Sequence, residues 1–206
     1  IRHEAMKTYA YEIFSELGRV PDFSFHPMGT GGGVWGTWKG YNELAAMGVT
    51  DKVPHMVPVQ PETVCWLKRA VDSVAEVAEM YGDSTRTIAQ SISGNSPLQG
   101  GRRLIRAVRE SGGAAMAVSD DEILAAMVDL GHEGIGAEPS SASTVAAFKQ
   151  AVKAGKISSS DTVVCVITGT AFKQPSVVEH IAALPKYTIR ADVDQLKGLL
   201  VRLKLL

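Results

Sequence analysis

A run of glycines at the junction of two patterns constrains this chain more than anything else in it. The segment Met28-Gly29-Thr30-Gly31-Gly32-Gly33-Val34-Trp35-Gly36 follows a short apolar stretch and leads into residues of helical period. Without a Cβ, the backbone turns tightly and several N–H groups converge on one anion. The helix that follows adds the positive end of its dipole. A phosphate group held by residues 29–33 is the expected occupant. A strand-to-helix turn without a ligand needs fewer glycines, because each one costs ordering entropy.

The residues around the loop narrow the kind of phosphate. Gly31-Gly32-Gly33-Val34-Trp35-Gly36 matches G-x-G-x-x-G. A dinucleotide site also wants an acidic residue about 20 residues on, at the end of the next strand. That strand, residues 55–60, ends in Gln60, with Glu62 beyond Pro61. No G-K-[ST] follows the glycines, which excludes a Walker loop. A phosphate monoester on a cofactor remains.

Short apolar runs alternate with helical periods along the chain, which predicts an α/β three-layer sandwich with a mainly parallel sheet. Strands are predicted over residues 22–28, 55–60, 114–119, 162–168 and 187–191. Helices are predicted over 5–17, from the glycine loop to about 47, and over 62–78, 99–110, 120–130, 140–154 and 175–184. A last amphipathic helix runs to Leu206. Gly18 terminates the first helix. Ser119 and Glu122 read as a capping box. Residues 163–167 are all apolar, as in a parallel strand buried on both faces. Residues 81–100 are polar and rich in Gly and Ser, a loop with Thr87-Ile88-Ala89 as its apolar insert.

Composition excludes several classes. Lys+Arg number 21 and Asp+Glu 22, so the net charge of -1 suits neither a nucleic-acid clamp nor a polybasic membrane binder. Hydrophobic residues at 45% and charged residues at 21% match globular usage rather than disorder. The 206 residues fit one large domain, or a domain and a fragment of another. Cys65 and Cys165 are too few for a disulfide scaffold, and Cys165 reads as a buried thiol in a reducing compartment. No stretch approaches the ~20 apolar residues of a membrane span. Ile1-Arg2-His3-Glu4 looks like the interior of a helix, so the chain is expected to be the C-terminal piece of something longer.

A set of segments in order resembles one family. Pro21-Asp22, the glycine loop and Trp38-Lys39-Gly40-Tyr41-Asn42-Glu43-Leu44 look like the phosphate cup of fold-type-II pyridoxal-phosphate enzymes. Within that group they look most like the threonine synthases. Arg106-Ala107-Val108-Arg109-Glu110-Ser111-Gly112-Gly113, Val118-Ser119-Asp120-Asp121-Glu122-Ile123-Leu124 and Glu133-Gly134-Ile135 agree in the same order. So do Ala137-Glu138-Pro139-Ser140-Ser141-Ala142 and Val163-Val164-Cys165-Val166-Ile167-Thr168-Gly169. The resemblance covers nearly the whole chain.

The resemblance implies pyridoxal 5′-phosphate as cofactor, with Gly29, Thr30, Gly31, Gly32 and Gly33 around its phosphate. It implies that Thr168 sets its hydroxyl against the pyridine nitrogen. Glu138-Pro139-Ser140-Ser141 would begin a helix that lines the pocket. Residues 1–20 would border the small domain, and residues 21–206 would belong to the large cofactor-binding domain. The implied protein is a cytoplasmic homodimer acting on a small amino-acid substrate, O-phospho-L-homoserine, to give L-threonine and phosphate. A threonine or serine dehydratase, or a non-catalytic truncated or split half, is the alternative.

Two features depart from the family. Thr168-Gly169-Thr170-Ala171-Phe172-Lys173 stands where Thr-Gly-His-Gly-Leu-Lys is usual. The family's Schiff-base lysine lies in a Ser-x-Lys-Asp-type segment ahead of the glycine loop, and no lysine here has that context. The resemblance therefore assigns no catalytic residue to these residues, which alone are expected to be inactive. An incomplete sheet is expected to expose the apolar faces of Val59, Val164 and Val166.

Other residues have plainer readings. His26 and His55 read as strand-end histidines, without metal-ligand spacing. His132 reads as solvent-facing. Trp35 and Trp38 share a helix face and suit core packing. Cys65 lacks a histidine partner in sequence. Glu138 either orients a group beside the cofactor or caps its helix. Arg102, Arg103, Arg106 and Arg109 read as a solvated face; the alternative gives one of them to an anionic substrate.

Overall fold

Four parallel strands carry the domain in this computed structural model, which describes residues 2–182 and 187–206. They are β1 (Phe23–Pro27), β2 (His55–Pro61), β3 (Met116–Val118) and β4 (Val163–Cys165), in the order β3-β2-β1-β4. Phe23 and Phe25 stand opposite His55 and Val57 on one side, and opposite Val163 and Cys165 on the other.

Side-chain alternation divides the sheet between two cores. Phe25, Val57, Val59 and Val118 point to one face. There they meet Ile123 and Ala126 of α6 (Asp120–His132) and Ala142 and Ala146 of α7 (Pro139–Lys153). Met56 belongs to the opposite core, with Val34 and Trp38 of α3 (Gly32–Ala46), Trp66 and Leu67 of α4 (Trp66–Asp72), and Leu104 and Ile105 of α5 (Arg102–Glu110). Helices on both faces of a parallel sheet make the predicted three-layer sandwich.

The first helical region is split into α1 (Arg2–Ala5) and α2 (Thr8–Leu17), and Gly18 terminates it at φ 65. The pair packs on α3 where glycines permit close approach. A Cβ on Gly36 would lie 2.4 Å from Met6 Cβ, and one on Gly40 would lie 2.8 Å from Ala10 Cβ. α8 (Pro175–Ala182) and α9 (Val193–Arg202) complete the helices. Residues 183 and 184 of the expected helix lie outside the described residues. Among the described residues, no helix is long and apolar enough to cross a membrane.

Several expectations need correction. The helix expected over 62–78 is a 3-10 turn (Glu62–Val64) followed by the shorter α4. Gln60 causes this locally: its buried amide donates to the Val64 carbonyl and accepts from the Leu67 N–H, both at 2.9 Å. Among the described residues, β4 is an edge strand that pairs with β1 alone, rather than a strand buried on both faces. Residues 187–191 form no strand, and Tyr187 and Ile189 are exposed: the segment pairs with neither open edge of the sheet and gains no ladder hydrogen bonds. Val59 and Val166 are buried and Val164 is half-buried, so the expected exposed faces are largely covered.

Candidate functional site

The chain runs outward from β1 through β2 and β3, then returns to place β4 on the opposite side of β1. Where strand order reverses, the loops after the two neighbouring strands diverge and leave a crevice at their carboxyl ends. A cleft of about 350 Å³ opens there, within the ~300–1,000 Å³ of small-molecule sites. Gly29, Thr30, Gly31, Gly32 and Gly33 line it from the β1 side and Thr168 from the β4 side. All six residues singled out in the sequence therefore face one space.

The glycines serve different ends. Gly31, the N-cap of α3, has φ 80, and a Cβ on it would lie 2.3 Å from Leu104 Cδ1. Backbone conformation and packing both require glycine there. Gly32 and Gly33 are different: a Cβ would lie 3.5 Å from His3 Cδ2 and 4.0 Å from His26 Nδ1, which is ordinary contact or better. Packing leaves room for a side chain at both, so their bare backbone keeps the cleft itself open. The Trp35 N–H donates to the Gly31 carbonyl at 3.0 Å. The N–H groups of Gly32, Gly33 and Val34 thus have no acceptor inside the helix, at its positive end. This cradle suits a dianionic phosphate.

The opposite wall is built by the start of α7 and the turn after β4. Ser141 Oγ accepts from the N–H groups of Thr168 at 3.0 Å and Gly169 at 2.9 Å, which ends β4 and presents Thr168 to the cleft. Glu138 is the N-cap residue of α7, but its side chain makes no cap bond. Instead Lys173 Nζ donates to its Oε1 and Ser91 Oγ to its Oε2, each at 3.1 Å. Glu138 therefore orients groups in the cleft. Ser140 Oγ is buried with no hydrogen-bond partner among the described residues, although Ser140 lines the cleft. A buried hydroxyl without a partner suits a ligand that supplies one.

Sequence reasoning missed Lys173 and Ser91 as members of this site. Lys173 carries a signal, since it closes the turn that begins at Thr168. Ser91 carries none: the long loop is anchored by Asp120, which accepts from Thr87 Oγ1 at 2.8 Å and from the Ile88 N–H at 3.0 Å. His26 is also part of the wall, within β1. Burial lowers its pKa to about 4, so the ring is neutral at neutral pH, with Ser24 Oγ 3.0 Å from Nε2. His55 is elsewhere, at the start of β2, with Nδ1 2.7 Å from the Ser111 carbonyl. Trp38 is core, and Arg103 and Arg106 stack over Trp35 and Trp38 at 5.8 Å. Cys165 is a packed thiol whose pKa burial pushes up to about 12.

Residues 1–169 match the model of the family described as pyridoxal-phosphate dependent enzyme. This chain belongs to that family. Threonine synthase of Methanosarcina acetivorans is 37% identical over 198 residues, covering 95% of this chain and 48% of the relative. Threonine synthase of Methanocaldococcus jannaschii is 34% identical over 209 residues, covering 98% and 50%. The chain spans about half the length of the curated relatives it matches. Among solved structures, the L-serine ammonia-lyase from Rhizomucor miehei has a TM-score of 0.69 at 18% identity, over 90% of this chain and 56% of that one. The processed form of threonine deaminase isoform 2 from Solanum lycopersicum has a TM-score of 0.67 at 20% identity, over 87% and 49%. The fold is that of the fold-type-II pyridoxal-phosphate enzymes. The family's cofactor is pyridoxal 5′-phosphate, and the cradle, the Thr168 hydroxyl and the orphaned Ser140 hydroxyl fit that molecule.

Proposed function

We propose that the full-length protein converts O-phospho-L-homoserine and water into L-threonine and phosphate. The likeness to threonine synthases over most of this chain supports this reading most. In it, residues 29–33 and the N-terminus of α3 hold the cofactor phosphate. Thr168 offers its hydroxyl to the pyridine nitrogen at the other end of the cleft. The bound cofactor supplies the electron sink for proton loss from the substrate carbons. Lys173, fixed by Glu138, keeps a cation in the wall where an anionic amino acid arrives. His26, neutral, adds no charge to that wall. The same reading makes the protein a cytoplasmic homodimer of amino-acid biosynthesis, with residues 1–20 bordering a smaller domain and 21–206 in the larger.

A related lyase acting on L-threonine or L-serine is the second reading. The departure at Thr170-Ala171-Phe172 leaves the substrate open, whereas the Thr168-Gly169 pair leans towards the first reading. Full-length protein loaded with cofactor decides between the two. Release of phosphate from O-phospho-L-homoserine, matched mole for mole by L-threonine, supports the first. Ammonia and a 2-oxo acid from L-threonine or L-serine, without phosphate release, support the second. Turnover of neither, with no retained cofactor, supports the non-catalytic alternative. Light scattering of the same sample reports the oligomeric state.

A further inference from the structure

We infer that Ser141 is a positioning residue that aims the hydroxyl proton of Thr168 into the cleft. The inference rests on the reading of Thr168 as the partner of an aromatic ring nitrogen, and deepens it by fixing which way the proton points.

Ser141 lies in the first turn of α7 and is fully buried. Its Oγ has three neighbours: the Thr168 N–H at 3.0 Å, the Gly169 N–H at 2.9 Å and Thr168 Oγ1 at 3.1 Å. A serine hydroxyl has one proton and two acceptor lone pairs. Backbone N–H groups can only donate, so the two of them occupy both lone pairs. The third contact must carry the Ser141 proton, and Thr168 Oγ1 accepts it. The proton of Thr168 is thereby barred from Ser141. Thr168 Oγ1 has no other partner among the described residues, and Thr168 lines the cleft. Its proton points there.

Neighbouring hydroxyls behave differently. Ser143 Oγ donates to the Ser140 carbonyl at 2.7 Å, and Thr144 Oγ1 to the Ser141 carbonyl at 2.9 Å, as hydroxyls in helices commonly do. Ser141 alone in this turn is turned to the end of β4. The chemical consequence lies in the ligand. A threonine hydroxyl able to accept could serve a protonated ring nitrogen. One whose proton finds no acceptor in the wall offers it to the ligand, which favours the unprotonated nitrogen and lowers its pKa, while its second lone pair stays free. Ser141, which lies behind Thr168, thus biases the protonation state of a ring it does not touch.

Two measurements on the full-length protein test this. A neutron structure without cofactor should place the deuteron of Ser141 on the line to Thr168 Oγ1. A Thr168 deuteron directed at Ser141 would overturn the inference and leave the proposed reaction standing. The second measurement is the 15N resonance of ring-labelled pyridoxal phosphate at equal occupancy. Ser141→Ala should shift it in the same direction as Thr168→Val, while Thr168→Ser leaves it in place. A shift with Thr168→Val but none with Ser141→Ala removes Ser141 from the role. No shift with either removes Thr168 from the ring nitrogen, and the inference with it. Should Ser141→Ala fail to fold, Ser141→Cys keeps the volume and weakens both functions of the hydroxyl. It should produce a smaller shift in the same direction, and an unmoved resonance there also overturns the inference.

Discussion

Lys173 Nζ lies 3.1 Å from Oε1 of Glu138, a carboxylate whose side chain is only 2% exposed. Lys173 itself is 55% exposed, so water shares the pairing from one side only. Removing one partner of a buried pair strands the other, at ~3–5 kcal/mol where both are buried. Solvent at Lys173 and the remaining donor, Ser91, reduce that cost. Lys173→Met should therefore lower unfolding stability by about 1–3 kcal/mol. Adding Glu138→Gln should recover most of the loss, because the uncompensated charge is then gone. Urea unfolding of the two singles and the double checks this, and a double variant no more stable than Lys173→Met contradicts it. Gly169→Ala reports on the same pair, since its Cβ would lie 2.1 Å from Glu138 Oε1 and 2.6 Å from Lys173 Nζ. Its cost should not add to that of Lys173→Met.

His26 makes stability depend on pH in a defined window. Its ordinary pKa of 6.5 falls to about 4 in the fold, because burial disfavours the imidazolium. Between those values the unfolded chain binds the proton that the folded chain refuses, so stability rises with pH across the window. The contribution is complete above about pH 6.5 and is lost as pH falls towards 4. The gap corresponds to about 3 kcal/mol. Glu43 acts lower: its bond from Lys7, then that from Tyr11, holds its pKa at about 2, below an ordinary 4.5. Its contribution is present above 4.5 and is lost below. Denaturant titrations from pH 7 to 4 should thus show a slope that His26→Gln flattens and Glu43→Gln leaves alone above pH 4.5.

What is legible in the sequence is what is local. The capping box closes within four residues: Ser119 Oγ accepts from the Glu122 N–H at 3.2 Å, and the Ser119 N–H donates to Glu122 Oε2 at 2.9 Å. That the glycine loop and Thr168 face one cleft is legible for the same reason, each following closely on a strand whose pattern announces it. The Glu138 network is not, because Ser91, Glu138 and Lys173 come from three separate turns that are distant in sequence and meet only in the fold. The break in the helix after β2 depends on where one buried amide, that of Gln60, finds partners. The strand expected over 187–191 shows the converse: alternation defines a face but does not bring the segment to an open sheet edge.

Thr168 tests the far end of the cleft. Thr168→Asp replaces a neutral donor with a carboxylate, which favours a protonated ring nitrogen. The absorption of bound cofactor should move towards the protonated-ring form. Thr168→Ala should cost about 1 kcal/mol of stability or less, as loss of one hydroxyl hydrogen bond does, while reducing turnover more strongly. An unchanged spectrum in Thr168→Asp together with normal turnover in both variants would place the ring nitrogen elsewhere.

Gly32 and Gly36 separate the two uses of glycine in α3. A side chain at Gly32 has room in the fold, with its nearest neighbour His3 at 3.5 Å, but it enters the cleft where the proposed reading puts the phosphate. Gly32→Asp brings a carboxylate beside a phosphate, a repulsion of about 4 kcal/mol at ~4 Å with an effective dielectric of ~20. That exceeds the loss of a single hydrogen bond, ~1 kcal/mol. Gly36 lies away from the cleft, and its Cβ would lie 2.4 Å from Met6 Cβ and 2.9 Å from the His3 carbonyl. Gly36→Ala should therefore push α1 and α2 off α3 and cost about 1–3 kcal/mol of stability through overpacking. The expected pattern is crossed. Gly32→Asp loses cofactor on dialysis yet melts, without cofactor, close to the parent. Gly36→Ala melts lower and, with the glycine cradle intact, loses less cofactor than Gly32→Asp, although Met6 also lines the cleft. Full cofactor retention by Gly32→Asp would show that the loop is not where the phosphate sits.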